Sequence, residues 1–311
     1  MKLHPSTRTR FDRVVPTILQ WYKLNQRSFI WRGVTRSPYV VLVSEFMLQQ
    51  TGARQVEKIL PVFLRQFPNV HTLAGASPAE VLRAWKGLGY NRRALNLHRA
   101  AKTISARGRR PFPRTLDALQ ALPGVGRYTA SAILAFKYNE DVPVVDVNIE
   151  RVLSRIWKPM HTYSETLPIK QIYDLDAEIL PRGESARWHE ALMDFGSVVC
   201  TKKSPNCAAC PIRYDCASSM KFLKKEQASL IEKIPPKEPR YFGHPRRIWR
   251  GRILTIVMDR SAVSLRVVTS SLQKTYGIED DAFPKFISDL AKILVGEGIL
   301  ARNGNNLTLP S

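Results

Sequence analysis

Two carboxylates in unlike surroundings are the first residues of this chain that could do chemistry. Glu45 lies in Tyr39-Val40-Val41-Leu42-Val43-Ser44-Glu45-Phe46-Met47-Leu48-Gln49-Gln50-Thr51, one acid among eight apolar residues. Taking it out of water favours its neutral form, which a general acid needs. Asp146 sits in Pro143-Val144-Val145-Asp146-Val147-Asn148, another apolar run, where an acid is costly unless hydrogen-bonded or employed. Such a pair suits cleavage of a glycosidic bond: one carboxyl protonates the leaving group, and the other stabilises or captures oxocarbenium charge. Each also has a structural reading. Glu45 could pair with an arginine such as Arg32, and Asp146 could cap a helix that begins near Asn148 and runs through Arg151, Val152, Leu153 and Ile156. Capping and catalysis do not exclude each other.

All four cysteines, Cys200, Cys207, Cys210 and Cys216, fall within seventeen residues with the spacing C-x6-C-x2-C-x5-C. Disulfides suit small secreted proteins, whereas a long basic chain that opens Met1-Lys2-Leu3-His4-Pro5 without an apolar signal segment fits a reducing compartment. Four thiolates on one short loop suit an all-cysteine zinc site or a cubane iron-sulfur cluster, and the residue chemistry leaves both open. Lys202, Lys203 and Arg213 would offset thiolate charge and offer phosphate contacts.

Charge points to a polyanionic partner. Lys and Arg number 48 against 26 Asp and Glu, a net +22, with a pI near 10.2. The excess is concentrated: residues 86–114 hold nine bases and no acid, and residues 201–260 hold fourteen bases and five acids. A generally supercharged surface, or attraction to anionic lipid, is the competing reading. No apolar run reaches the 18 residues of a membrane span, so no membrane partner is expected. Beside the first basic zone, Leu122-Pro123-Gly124-Val125-Gly126-Arg127-Tyr128 joins two helical segments. Gly124 and Gly126 would let backbone N–H groups approach an anion, with the start of the next helix, at Arg127, adding its positive dipole end. This is the form of a helix-hairpin-helix, which grips phosphate without reading sequence. A helix C-cap followed by an ordinary helix start would look the same locally.

The elements that must position these residues are helical. Phe11 to Tyr22, Val56 to Phe67, Pro78 to Trp85 and Ala94 to Ser105 repeat apolar residues three or four apart. No alternating strands intervene, so residues 1–220 read as an all-α body that includes the 200–216 cysteine loop. Residues 221–247, charged and containing Pro235, Pro236, Pro239 and Pro245, read as a linker. In residues 248–311, helix faces at Ile248 to Val257 and Phe283 to Leu294 precede a hairpin over Gly298 to Leu309 that turns at Asn303-Gly304. The pattern predicts a small α+β winged-helix-like module, or a cap with no nucleic-acid role.

In this order the motifs resemble the helix-hairpin-helix DNA glycosylases with an iron-sulfur loop, the superfamily of endonuclease III and MutY. The likeness covers about residues 15–218. Ser44 to Thr51, Gly87-Leu88-Gly89-Tyr90, Asn96-Leu97-His98, Leu122 to Ala130, Asp146-Val147-Asn148 and the cysteine spacing all look like MutY, the adenine glycosylase acting opposite 8-oxoguanine. The resemblance implies a two-lobed helical fold and a [4Fe-4S] cluster rather than zinc on the four cysteines. It implies that Glu45 protonates adenine N7 and that Asp146, helped by Tyr128 and Asn148, stabilises or captures the sugar cation. Bifunctional relatives have lysine where this chain has Tyr128, which implies a monofunctional hydrolase. Gln50, Thr51 and Tyr90 match positions that enter the duplex around the damaged guanine, with Tyr90 as a wedge; Trp31 and Arg32 resemble adenine-pocket residues. The implied partner is double-stranded DNA with a mispaired or damaged base, bound by a monomer in the cytoplasm, at the nucleoid of a prokaryote.

Three departures stand out. MutY commonly has tyrosine where this chain has Asn91 and glycine where it has Val147, and residues 248–311 are too short for the Nudix-like domain with which many MutY proteins read 8-oxoguanine. The expectation is that the winged-helix-like module substitutes by gripping DNA. A thymine or uracil mismatch glycosylase of the same superfamily shares Tyr followed by Asp here, but Gln49-Gln50-Thr51 and Gly87 to Tyr90 argue against it. A non-catalytic damage-binding protein would need neither Glu45 nor Asp146.

Overall fold

The computed structural model describes residues 5–32, 37–108, 110–160, 162, 164–224, 238–260 and 262–311. In chain order they form α1 (Pro5–Asn25), α2 (Pro38–Leu48), α3 (Ala53–Gln66), α4 (Val70–Gly75), α5 (Pro78–Ala84), α6 (Arg92–Ser105), α7 (Leu116–Gln120), α8 (Arg127–Tyr138), α9 (Val147–Trp157), α10 (Ile169–Ile179), α11 (Ser185–Val198) and α12 (Ser219–Leu223). A C-terminal set follows: β1 (Arg240–Tyr241), β2 (His244–Pro245), α13 (Arg246–Arg260), β3 (Ala262–Ser264), α14 (Leu265–Tyr276), α15 (Phe283–Gly296), β4 (Ala301–Asn303) and β5 (Asn306–Thr308). No helix among the described residues is long and apolar enough to cross a membrane.

The chain passes more than once between two units, Met1–Leu42 with Arg114–Ala121 and Val125–Ile234, and Val43–Pro113 with Leu122–Gly124 and Pro235–Ser311. In the first, α1 and α9 present apolar residues at helical spacing, Phe11, Val14 and Ile18 on one and Ile149, Val152 and Ile156 on the other. They close a core with Trp188 and Phe195 of α11, and the cysteine loop packs on that core through Cys200, Cys207 and Cys210. In the second unit, α4 and α5 pack on α6. Ser77 and Glu80 start α5 with a reciprocal capping box, and Phe63 meets Trp85 edge-on with centroids 6.0 Å apart. Helix α2 is apolar nearly all round and buried from Val41 to Met47, which lodges the Glu45 carboxyl in the interior.

The C-terminal module follows the order helix, strand, helix, helix, strand, strand, with sheet order β3-β5-β4 and both pairings antiparallel. This is the winged-helix arrangement, closed around a fully buried Trp249. Two details differ from the sequence expectation. The hairpin pairs Asn303 with Asn306, so its central residues are Gly304-Asn305, one step later than expected, with Gly304 at φ 57°. Helix α14 escapes periodicity reading because Val267, Val268, Thr269 and Thr275 favour strand locally. Its cap, the Ser264 side chain accepting from Val267 N, and the left-handed Gly277 at its end delimit it instead. Of the expected linker 221–247, residues 225–237 lie outside the described residues; beyond them Arg240 and Tyr241 pair with Pro245 and His244.

Candidate active site and nucleic-acid interface

Asp146 is the N-cap of α9. Its Oδ1 accepts from Asn148 N at 2.9 Å and Ile149 N at 2.8 Å, and its Oδ2 accepts from Asn148 Nδ2 at 2.8 Å. Burial raises the carboxyl above the ordinary aspartate range, and these donors, with the Arg151 charge, pull against that. Asn148 is held from its other end, since Oδ1 accepts from Arg151 Nη2 at 2.8 Å. Arg151 also donates to Gly196 O at 2.7 Å and Cys200 O at 2.8 Å. Gly196 makes that approach possible, because a Cβ there would stand 2.8 Å from Asn148 Cβ. The strand-like lead-in is fixed at Val144, whose N–H reaches the buried Asp176 carboxylate at 3.1 Å. Asp176 is in turn bonded to His189 Nε2 at 2.7 Å and Trp188 Nε1 at 3.0 Å. Tyr128, on the first turn of α8, packs beside the Ala132, Ala135 and Val144 patch.

In the second unit, Glu45 is only 4% exposed. Just beyond it, α2 ends in carbonyls that one buried cation collects. Arg93 donates to Phe46 O at 2.9 Å, Met47 O at 3.0 Å and Gln49 O, and on its other branch to Thr51 Oγ1 at 2.9 Å, Leu88 O at 3.1 Å and Gly89 O at 3.0 Å. Burial lowers the guanidinium to about 10. Arg93 therefore closes the negative end of α2 and ties it to the 86–91 turn. On either side of this hub Gln50 and Tyr90 take left-handed φ values of 60° and 47°, unusual for residues with a Cβ. The Tyr90 ring is about half exposed, at 52%.

The glycine hairpin has the expected geometry at Gly124 but not at Gly126, whose φ of −88° suits any residue and where a Cβ would meet nothing within 4 Å. Gly124 adopts φ +79°, and a Cβ there would meet Asn96 Cβ at 2.7 Å. Gly126 is the N-cap of α8 and offers no side-chain cap, so the first N–H groups of α8 are not closed off by one. Arg127 is exposed and its guanidinium lies 3.7 Å from the Tyr173 ring centroid.

All four cysteines line one pocket beside Val152, Phe195 and Phe222. Burial raises the thiols of Cys207, Cys210 and Cys216 to about 11, 12 and 11, and Arg155 donates to Cys200 Sγ at 3.3 Å. Among the described residues no three His, Cys, Asp or Glu side chains are drawn together tightly enough to hold a single metal ion. Lys202 and Lys203 stand exposed on the loop. Arg32 is committed to an acid pair of the first unit, donating to both oxygens of Asp194 at 2.8 Å with Glu190 at 3.7 Å. Trp31 stacks on Phe29 at 4.7 Å.

Sequence reasoning missed Arg93, Arg151, Asp176 and His189. For Arg93 a signal existed: it falls in register with Leu97, Ala100 and Ile104 on the buried face of α6, a place no solvated arginine should take.

A family model described as HhH-GPD superfamily base excision DNA repair protein matches residues 43–167. The adenine DNA glycosylase of Mycolicibacterium smegmatis is 38% identical over 243 residues, 78% of this chain and 79% of that one. That of Mycobacterium tuberculosis is 36% identical over 291 residues, 90% of this chain and 93% of that one, a span that reaches into the C-terminal module. A thermostable thymine-DNA glycosylase superposes with TM-score 0.63 at 28% identity, covering 70% of this chain and 99% of that one. An endonuclease III–DNA complex gives TM-score 0.60 at 22% identity, covering 72% and 100%, a likeness of fold.

Proposed function

This chain belongs to the HhH-GPD superfamily of base excision DNA repair proteins, within its MutY-type adenine DNA glycosylases, and from that premise we propose that it releases adenine mispaired with 8-oxoguanine or guanine. The observation that carries the reading is the clamped cap of α9, where Asp146 is half-hidden from water and aimed by Asn148 and two backbone N–H groups.

The reaction is a hydrolysis of the bond between adenine N9 and sugar C1′. Adenine leaves the stack, at a cost of a few kcal/mol that a mispair reduces. Glu45 gives its proton to adenine N7, the C1′–N9 electron pair goes to the base, and the ionised Asp146 stabilises the sugar cation until water adds at C1′. Asp146 serves best as an anion, so its cap donors oppose the effect of burial. Tyr128 carries no amine, which supports a monofunctional enzyme that forms no Schiff base with the opened sugar.

Cys200, Cys207, Cys210 and Cys216 would hold a [4Fe-4S] cluster. Their common pocket and the Arg155 donor to Cys200 fit four thiolate ligands. When bound, the cluster supplies a rigid centre that shapes the loop bearing Lys202 and Lys203, which grip phosphate with the N–H groups at Gly126. The working form is a cytoplasmic monomer on duplex DNA.

A second reading, release of thymine or uracil opposite guanine, is favoured by the likeness to the thermostable thymine-DNA glycosylase. Single-turnover base release separates the two on duplexes holding A opposite 8-oxoguanine, A opposite G, T opposite G and U opposite G. Fastest release of A opposite 8-oxoguanine is expected; preferential T or U release would replace the first reading with the second, and silence on all four would refute both.

A further inference from the structure

Arg127 carries its charge where a helix alone would not favour it. It opens α8 at the positive end of the helix dipole, with no acid in the first turn and no side chain capping the N–H groups behind Gly126. Its guanidinium carbon lies 3.7 Å from the centroid of the Tyr173 ring, a face-on stacking distance. Tyr173 belongs to α10, is 7% exposed and is part of the core of the first unit, so the platform under the cation is fixed. Burial pushes its phenol up, which keeps the ring neutral. The three acids of α10 are spent elsewhere. Asp174 pairs with Lys170 at 3.1 Å, Asp176 accepts from His189 and Trp188, and Glu178 pairs with Arg8 at 3.1 Å. Arg127 is therefore held by a ring rather than by an opposite charge. Stacking occupies the face of the guanidinium, uses none of its N–H donors and leaves its charge unneutralised.

We propose that Tyr173 is a positioning residue for the phosphate grip: its ring holds Arg127 flat at the start of α8, so that the guanidinium edge and the N–H groups at Gly126 close on the same stretch of DNA backbone. The proposal rests on the glycosylase reading, which supplies the duplex. A free arginine surrenders rotamer freedom each time it binds a phosphate, whereas one already laid on a buried ring has given up most of it before the duplex arrives. An acid in place of the ring would fix the side chain as well, but it would cancel the charge that the phosphate is to meet. The arrangement is indifferent to base sequence, because a guanidinium edge and backbone N–H groups aimed at phosphate contact no base edge. Tyr173 therefore acts on affinity for duplex DNA in general and not on the choice among duplexes.

A double-mutant cycle on full-length protein tests this, read by duplex titration over a range of salt and by thermal melting. Arg127→Ala should weaken binding about 10-fold and lower the slope of log affinity against log salt by about 0.9, equally for a duplex with A opposite 8-oxoguanine and for a fully paired one. Tyr173→Leu should weaken both by about 3-fold, and Tyr173→Phe, which keeps the ring, should bind like the wild type. Tyr173→Leu should cost nothing further once Arg127 is alanine, a coupling that a merely structural role for the ring would not produce. Arg127→Lys changes an exposed side chain and spares the core; it keeps the charge but loses the flat stacked face, so it should lose about 3-fold with the salt slope unchanged. Wild-type affinity in Arg127→Lys or in a folded Tyr173→Leu protein, an equal loss from Tyr173→Leu with and without Arg127, or an unaltered salt slope in Arg127→Ala would overturn the proposal. Single-turnover adenine release by the wild type tests the glycosylase reading separately, and its absence would sink that reading instead.

Discussion

Arg151 and Arg93 are both buried arginines surrounded by carbonyl oxygens, yet they secure different things. Arg151 fastens a side chain, Asn148, and through it the Asp146 carboxyl, to the backbone at Gly196 and Cys200. Arg93 holds mostly backbone, joining the end of α2 to the turn before α6, and so sets where Gln50 and Tyr90 project. One region fixes the direction of a carboxyl; the other holds two left-handed residues outward. On the proposed reading, chemistry and recognition hang on separate guanidinium groups, and changes at each should show separately in rate and in discrimination.

The largest expected effect tests whether the division follows chemistry rather than position in the chain. Glu45 shares the second unit with Arg93, yet Glu45→Gln should slow base release by on the order of 10³-fold with duplex affinity nearly intact, because an amide cannot give the proton. Single-turnover rates and a binding isotherm on one preparation check this. Loss of affinity with retained rate would break the comparison.

Arg93→Ala should cost about 3 kcal/mol of stability, since several buried carbonyls lose their donor at once. Arg93→Lys should recover little, because an ammonium cannot reach both branches of the fork. Denaturant unfolding reads both. A smaller loss, about 1–3 kcal/mol, is expected for Gly196→Ala, whose new methyl meets Asn148; it should also slow base release while sparing the preference for the opposite base.

The mildest signature is pH dependence. Burial raises the Asp146 carboxyl, and the group must be ionised to stabilise the cation, so the acid limb of the release rate should lie above an ordinary aspartate value of about 3.9. The linked effect on stability has the opposite sense. A raised folded-state value favours the fold below the unfolded value and loses that contribution as pH rises through the folded one. Relative to Asp146→Asn, the wild type should therefore lose stability over that rise, which melting across the same pH range would detect.

Much of this was legible from residue types. Asp146 announced its cap, because an acid in an apolar run before a helical pattern has few other uses, Gly124 announced a tight turn, and the cysteine spacing announced a shared pocket. The arginine hubs were not legible in the same way. Arg93 sits next to Arg92 in a basic stretch, and only the buried-face register of α6 distinguishes them. Arg32 illustrates the reverse: weighed as a partner for Glu45, it is bonded instead to Asp194, 162 residues away, a pairing that local sequence cannot signal. Helix α14 was hidden by its β-branched residues.

Asp146→Asn gives the most direct measurement of the central claim. Asparagine is as good an N-cap as aspartate, so the variant should melt like the wild type and bind a duplex with A opposite 8-oxoguanine with nearly wild-type affinity. Single-turnover release of adenine from that duplex should fall by on the order of 10³-fold or more. Release at a near-normal rate by a folded, DNA-binding Asp146→Asn protein would contradict the account.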